Sequence, residues 1–265
     1  MGPRAAVGVL GGVFAAILAG FPGVVVSAEA LDGGIERYRV TLVADVGHAL
    51  AGARALREGA AAGDAAAAKR SWLDARVGWE RSEVFTTPFA PELDRAIDAW
   101  PDGAAGFHAI EARLFGAGRT DFVPEADRLV HDLSELKTRA ETVALTPQGV
   151  LEGVVRLVYE VGESKIDGGE SRVSGTSLAD MRNNVDGIDA AWGTVFAAPV
   201  SERDPALAEA VRRGIDGLKA LVAARDLKSI DPERLRGATE GLVLRLQSAA
   251  PLIGLRKPTL EADAR

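Results

Sequence analysis

Three places in the second half of the chain set a capping side chain directly before a proline: Thr146-Pro147, Asp204-Pro205 and Asp231-Pro232. Proline has no amide hydrogen and a φ fixed at about −65°, so the first helical position, whose amide has no intrahelical acceptor, suits it. The preceding Thr or Asp supplies an oxygen to the exposed amides of the first turn. Each pair therefore predicts a helix start. Behind Asp204, the residues Leu207, Val211, Ile215, Leu218 and Val222 recur at helical spacing, a stripe that needs a partner surface. A further helix is expected over about 177–196, after the Gly168-Gly169 break, and Pro251 is expected to end or kink the last one.

The first half has the same period with weaker punctuation. Tyr38, Val40, Leu42, Val43, Val46, Leu50 and Ala53 predict a helix over 34–61, ended by Gly63-Asp64, which also caps the next, over 65–84. Pro88 and Pro91 are expected to break the chain before short helices over 92–99 and 105–115, separated by the turn Pro101-Asp102-Gly103. From Pro124, Leu129, Leu133, Leu136 and Ala140 mark another apolar face. Aromatic residues make up only 5% of the chain, and Val, Ile and Thr form no alternating runs, so a β-sandwich lacks its material. An all-α fold of two packed helical bundles, about 31–144 and 145–258, fits 265 residues.

Before the first predicted helix, Arg4 precedes an uncharged run from Ala5 to Ala28 that ends in Val26-Ser27-Ala28-Glu29-Ala30. This pattern reads as an export signal over 1–28, cleaved after Ala28 or, as second choice, after Ala30. An uncleaved anchor is the alternative, since the run is long enough to cross a bilayer. Either way the remainder lies outside the cytoplasmic membrane, and no later segment is apolar enough to span it. Asp and Glu number 38 against 31 Lys and Arg, a net charge of −7 with no basic cluster, which argues against a nucleic-acid partner. The absence of cysteine excludes disulfides, iron-sulfur clusters, thiolate zinc sites and blue copper. Any metal must be held by oxygen and imidazole.

Such donors exist. Glu80 and Glu83 lie three apart on a predicted helix and so share a face, and His108 and Glu111 repeat the spacing on another. Such an imidazole and carboxylates can converge inside a bundle, where the several acids repel one another unless a cation sits between them or some are protonated. The plainer account is also open: Glu80 comes four residues after Arg76, as in a surface ion pair, Glu111 can sit in solvent, and His108 beside Phe107 and Ile110 can be a hydrogen-bonded core residue. His48 and His131 lack acidic partners at ligand spacing. Lys165 and Arg172 can hold Glu170 or be solvated, and Asn183 and Asn184 can bond a neighbouring loop.

Gly106-Phe107-His108-Ala109-Ile110-Glu111, with Leu114-Phe115-Gly116 behind it, resembles the GxHxxE signature of the imelysin-like family. Trp72, Ala75-Arg76 and Trp79-Glu80-Arg81-Ser82-Glu83-Val84-Phe85 resemble its W…AR…YERxExF helix, with Trp in place of Tyr. Glu160 and Ser164-Lys165-Ile166-Asp167-Gly168-Gly169-Glu170-Ser171 resemble its E…SKIxGxE segment. Ser177-Leu178-Ala179-Asp180-Met181 and Asn183-Asn184-Val185-Asp186-Gly187 resemble the family's next stretch.

The resemblance implies two packed helical bundles with a metal cleft between them. His108 and Glu111 would supply one side, Glu80 and Glu83 the facing side, Asp98 an acid after a short helix, with Asp94 as its alternative, and Glu170 a ligand from the second bundle. It also implies an extracytoplasmic role of the EfeO/EfeM type: binding iron, with zinc or manganese also suited, and delivering it to a membrane iron permease, alongside a periplasmic peroxidase-type partner. With no room for a cupredoxin domain the likeness is to the EfeM form, and no copper-oxidising step is inferred. Where the iron-uptake branch tends to carry a histidine, this chain has Ser174-Gly175-Thr176-Ser177-Leu178. The expected role is non-catalytic. A zinc-dependent metallopeptidase is the alternative, although neither HExxH nor HxxEH occurs, since Ala112 comes after Glu111.

Overall fold

The computed structural model describes residues 22–98, 106–166 and 171–260, with side chains from Glu29 onward. Its helices are α1 Pro22–Ala61, α2 Ala65–Phe89, α3 Pro91–Asp98, α4 Gly106–Glu111, α5 Val123–Thr142, α6 Pro147–Glu163, α7 Ser177–Ala191, α8 Ala197–Arg203, α9 Pro205–Val222 and α10 Pro232–Ala249. Wider π turns continue α4 through Ala112–Gly116 and α7 through Trp192–Phe196. No strand occurs among the described residues, so the fold is all-α.

The three cap-proline pairs start α6, α9 and α10. Thr146 Oγ1 accepts from the Gly149 amide at 3.2 Å, Asp204 Oδ1 from Leu207 at 2.9 Å, and Asp231 Oδ1 from Glu233 at 3.0 Å. Asp64 likewise caps α2 through the Ala67 amide. The last long helix stops at Ala249, and Pro251 lies in the short 3₁₀ turn just beyond it.

Packing centres on α2. It lies along α1, which also packs on α5, and it meets α6 and α7 on another side; α9 and α10 complete the layer around α6 and α7. Ala68, Trp72, Ala75, Trp79 and Phe85 of α2 are buried in the shared core. Because neighbours cover α2 on several sides, its charged residues Arg76 and Glu80 are buried as well. No described helix is long and apolar enough to cross a membrane.

Two boundaries differ from the sequence reading. Helix α1 starts at Pro22 and runs through Gly33-Gly34 and through the Ala28-Glu29 bond, since Leu31 and Ile35 are buried in contacts that outweigh the low helical preference of glycine. Val40, placed on the apolar stripe, is 72% exposed: two residues beyond Tyr38, it points to the far side of the helix. Residues 1–21, which hold most of the proposed export signal, lie outside the described residues, as do the Pro101-Asp102-Gly103 turn and Gly168-Gly169.

The other difference is that α2 does not end near Val84 but continues through Pro88 to Phe89. Proline cannot donate to the carbonyl four residues back, so Val84 O loses its helical partner. Gly153 of α6 lies against that carbonyl so closely that a Cβ there would stand 1.9 Å from Val84 O and 3.3 Å from Pro88 Cγ. The turn at Pro88 is thus accommodated by a residue without a side chain on a distant helix. Gly153→Ala is expected to lower stability by about 2 kcal/mol through overpacking, read as a shift in the urea midpoint at unchanged slope.

Candidate metal centre

The centre forms where α2, α3 and α4 meet the connection from α6 to α7. Four residues separate Arg76 from Glu80, and three more reach Glu83, so one face of α2 presents a guanidinium and two carboxylates in succession. Asp98 is the last residue of α3, and His108 and Glu111 occupy successive turns of α4. Gly106, the glycine of the Gly-x-His pattern, has φ +83°, and a Cβ there would stand 2.4 Å from Ile97 O. Only a residue without a side chain lets α4 begin so close to the end of α3. That approach sets His108 Nε2 3.3 Å from Asp98 Oδ1.

One oxygen each of Glu80, Glu83 and Asp98 lies within 4.8 Å of the others. Arg76 ion-pairs with Glu80, with Asp98 and, at 3.3 Å, with Asp180 of α7. Its guanidinium carbon is 5.3 Å from the Phe107 ring centre and 5.6 Å from that of Trp72, so aromatic faces hold it from the apolar side. Trp72 Nε1 donates to Phe107 O at 3.1 Å, tying α2 to α4. Lys165, just past the end of α6, places Nζ 2.9 Å from Glu80 Oε2 and 3.1 Å from Glu83 Oε2. Asn184 Nδ2 donates to the same two oxygens at 2.8 and 2.6 Å.

On the other side, His108 Nδ1 is 3.0 Å from Glu111 Oε2, while Glu111 Oε1 accepts from the Ser174 amide at 2.7 Å and from its hydroxyl at 2.6 Å. Ser171 Oγ donates to Asp180 Oδ2 at 2.5 Å. Four buried or nearly buried carboxylates, Glu80, Glu83, Asp98 and Asp180, therefore pair with two basic side chains, Arg76 and Lys165. Burial opposes ionisation of Glu80, yet Arg76 and Lys165 hold its carboxyl down at about 2. Burial also opposes Glu111, and the hydrogen bonds from His108 and Ser174 bring it below its ordinary value. At Asp180 burial wins over Arg76, and the carboxyl is pushed up. The donor set, acids in excess of bases with one imidazole, fits a hard or borderline cation.

The structure thus brings together Glu80, Glu83, Asp98, His108 and Glu111; Glu170 lies outside the described residues. Arg76 and Glu80 pair as their spacing predicts, but in the interior and not on the surface. Lys165 reaches Glu80 and Glu83, and Asn184 bonds α2, not a loop. Asp180 carries no cue beyond standing in a matched segment, and Ser174 none beyond lying in the stretch where a histidine is missing. His48 is exposed and pairs with Asp74, and His131 is exposed. Asp94, the alternative to Asp98, accepts from Thr86 Oγ1 at 2.5 Å and is absent from the carboxylate triad.

The sequence profile of the imelysin peptidase family matches residues 34–105 and 102–251, so the chain belongs to that family. The iron uptake system component EfeO of Yersinia pseudotuberculosis is 35% identical over 170 residues, 60% of this chain and 45% of that protein. The iron uptake system component EfeM of Pseudomonas syringae is 29% identical over 203 residues, 73% of this chain and 70% of that protein. The chain spans less than half the length of the EfeO relatives it matches. A crystal structure from Parabacteroides distasonis, of a protein provisionally named an iron-regulated protein A precursor, superposes with a TM-score of 0.65 at 17% identity. It covers 84% of this chain and 95% of its own and shows the shared fold.

Proposed function

We propose that this imelysin-family chain acts in iron uptake as a non-catalytic extracytoplasmic carrier, exported by a signal over 1–28, that captures iron and delivers it to a membrane iron permease, alongside a peroxidase-type partner. The observation that carries this reading is the convergence of Glu80, Glu83 and Asp98 oxygens within 4.8 Å, with His108 Nε2 3.3 Å from Asp98. The names of the EfeO and EfeM relatives point the same way. We assign Glu80, Glu83, Asp98 and Nε2 of His108 as ligands, with Glu170 joining from the α6–α7 connection. Both oxygens of Glu111 are engaged by His108 and Ser174, which suits it to holding the imidazole with Nδ1 as donor, the usual partner of a metal-bound histidine. The cleft then lies between a bundle of about 31–144 and one of about 145–258.

Oxygen donors with one imidazole suit iron, and also manganese and zinc. Peptide hydrolysis would need a carboxylate to act as base on a metal-held water. Each carboxylate of the cluster is already engaged by a cation or hydrogen-bond donor, which favours binding over hydrolysis.

Calorimetric titration of purified, chelator-stripped protein with ferrous, ferric, manganese and zinc ions tests the assignment. Saturable binding is expected, weakened about 100-fold by Glu83→Ala or His108→Ala and about tenfold by Glu111→Gln, as befits a residue acting through the histidine. Unchanged affinity in the first two variants would remove the site, and no binding of any ion would remove the carrier reading.

A further inference from the structure

We propose that Lys165 is an internal counter-cation that occupies the metal's place in the empty protein and is exchanged for the ion on loading, so that it sets the affinity of the centre. The proposal rests on the carrier reading above. Lys165 Nζ bridges Glu80 Oε2 and Glu83 Oε2 at 2.9 and 3.1 Å. Those residues are two of the three whose oxygens converge. An ion bound by the Glu80 and Glu83 carboxylates at about 2.0–2.6 Å would crowd the space held by the ammonium. Two positive centres at that separation in a buried site repel strongly, so one must leave.

Which cation leaves depends on where each is held. Arg76 stands in the middle of the 25-residue α2, pairs with three acids, and lies over the rings of Trp72 and Phe107. Removing its guanidinium would break all of those contacts at once. Lys165 stands past the C-terminus of α6, in a turn, on a flexible stem that carries a point charge. Rotation about that stem withdraws the ammonium while α2 stays in place. Glu83 is the more exposed of the two carboxylates bridged by Lys165, with 11% of its side chain accessible against 0% for Glu80. Empty and loaded, the pair of glutamates keeps a positive partner, and binding becomes a competition between ammonium and metal.

The test compares wild type, Lys165→Met and Lys165→Arg by titration with manganese, which does not change oxidation state on handling, and by thermal unfolding with and without it. Lys165→Met should bind manganese at least tenfold more tightly than wild type. Metal-free, it should melt lower than wild type, since Glu80 and Glu83 lose a counter-charge, and the difference should close at saturating manganese. A merely structural lysine would leave that difference in place. Lys165→Arg keeps a charge with a wider grip on carboxylates and should bind manganese no more tightly than wild type. Equal or weaker binding by Lys165→Met, or tighter binding by Lys165→Arg, would overturn the proposal while the carrier reading stood. Failure of the wild type to bind manganese or any of the other ions would overturn the carrier reading itself.

Discussion

Arg76→Met is expected to cost the metal-free protein about 3–5 kcal/mol at neutral pH, the range for removing one partner from a buried charge network. The guanidinium is the shared counter-charge of Glu80, Asp98 and Asp180, which reach it from α2, α3 and α7. Lys165 contacts Glu80 and Glu83, so it cannot take over Asp98 or Asp180 without giving up those contacts. The pH dependence should change sign. In the wild type the Glu80 carboxyl stands at about 2 against an ordinary 4.5. Its contribution is therefore present above 4.5 and is lost as the pH falls toward about 2. With Arg76 gone, burial is opposed by Lys165 as the remaining cation and by hydrogen bonds, and the carboxyl rises. The deficit relative to wild type should then shrink on acidification, because protonation removes the uncompensated charge. A divalent ion at a fixed concentration should also shrink it, because a site relieved of the Arg76 charge binds the cation more tightly and the stabilisation grows with the ratio of ligand to Kd. Urea unfolding at neutral and acidic pH, with and without manganese, reads all three effects. A cost below about 1 kcal/mol at neutral pH would show that the network does not depend on Arg76.

The features legible in the sequence are those written locally. The cap-proline pairs start α6, α9 and α10 because Thr146, Asp204 and Asp231 and their prolines act within one turn. The spacing of Glu80 with Glu83 and of His108 with Glu111 fixes which faces of α2 and α4 they share, and the family pattern then sets those faces opposite each other. The continuation of α2 through Pro88 was not legible, since what accommodates it is Gly153, on another helix 65 positions away in the chain. Nor were the partners of the acids. At four residues' spacing Arg76 and Glu80 look the same as any surface pair, and only the packing of α2 against α6 and α7 makes theirs interior. Lys165 and Asn184 meet Glu80 across 85 and 104 positions, a distance over which neither period nor spacing carries information.

Asp94→Asn is expected to stabilise the metal-free protein by about 2 kcal/mol at pH 8 and by nothing below pH 3.8. Burial pushes the Asp94 carboxyl up to about 6 from 3.8, Asp98 and Glu160 add to the rise, and Thr86 and Arg156 oppose it. The sign is set by which state holds the proton. Below 3.8 both folded and unfolded chains are protonated and ionisation costs nothing. Between 3.8 and about 6 the unfolded chain releases its proton first, and above that range the folded protein carries the full penalty. Two units correspond to about 3 kcal/mol, which residual solvent contact brings down to about 2. Asparagine removes the charge and keeps an oxygen for the hydroxyl of Thr86, so the 2.5 Å hydrogen bond has an acceptor in both proteins. Urea unfolding across pH 3.5–8 should show the two curves converging at the acid end. A gain independent of pH, or a loss at pH 8, would mean that Asp94 is not held against its charge. The same variant separates the two acids that the sequence left as alternatives. Asp98 has an oxygen in the converging triad and Asp94 does not, so Asp98→Asn should weaken metal binding while Asp94→Asn leaves it intact. If instead Asp94→Asn lost the ion, its raised carboxyl would mark the vacant partner of a cation, and the ligand set would have to be redrawn around α3.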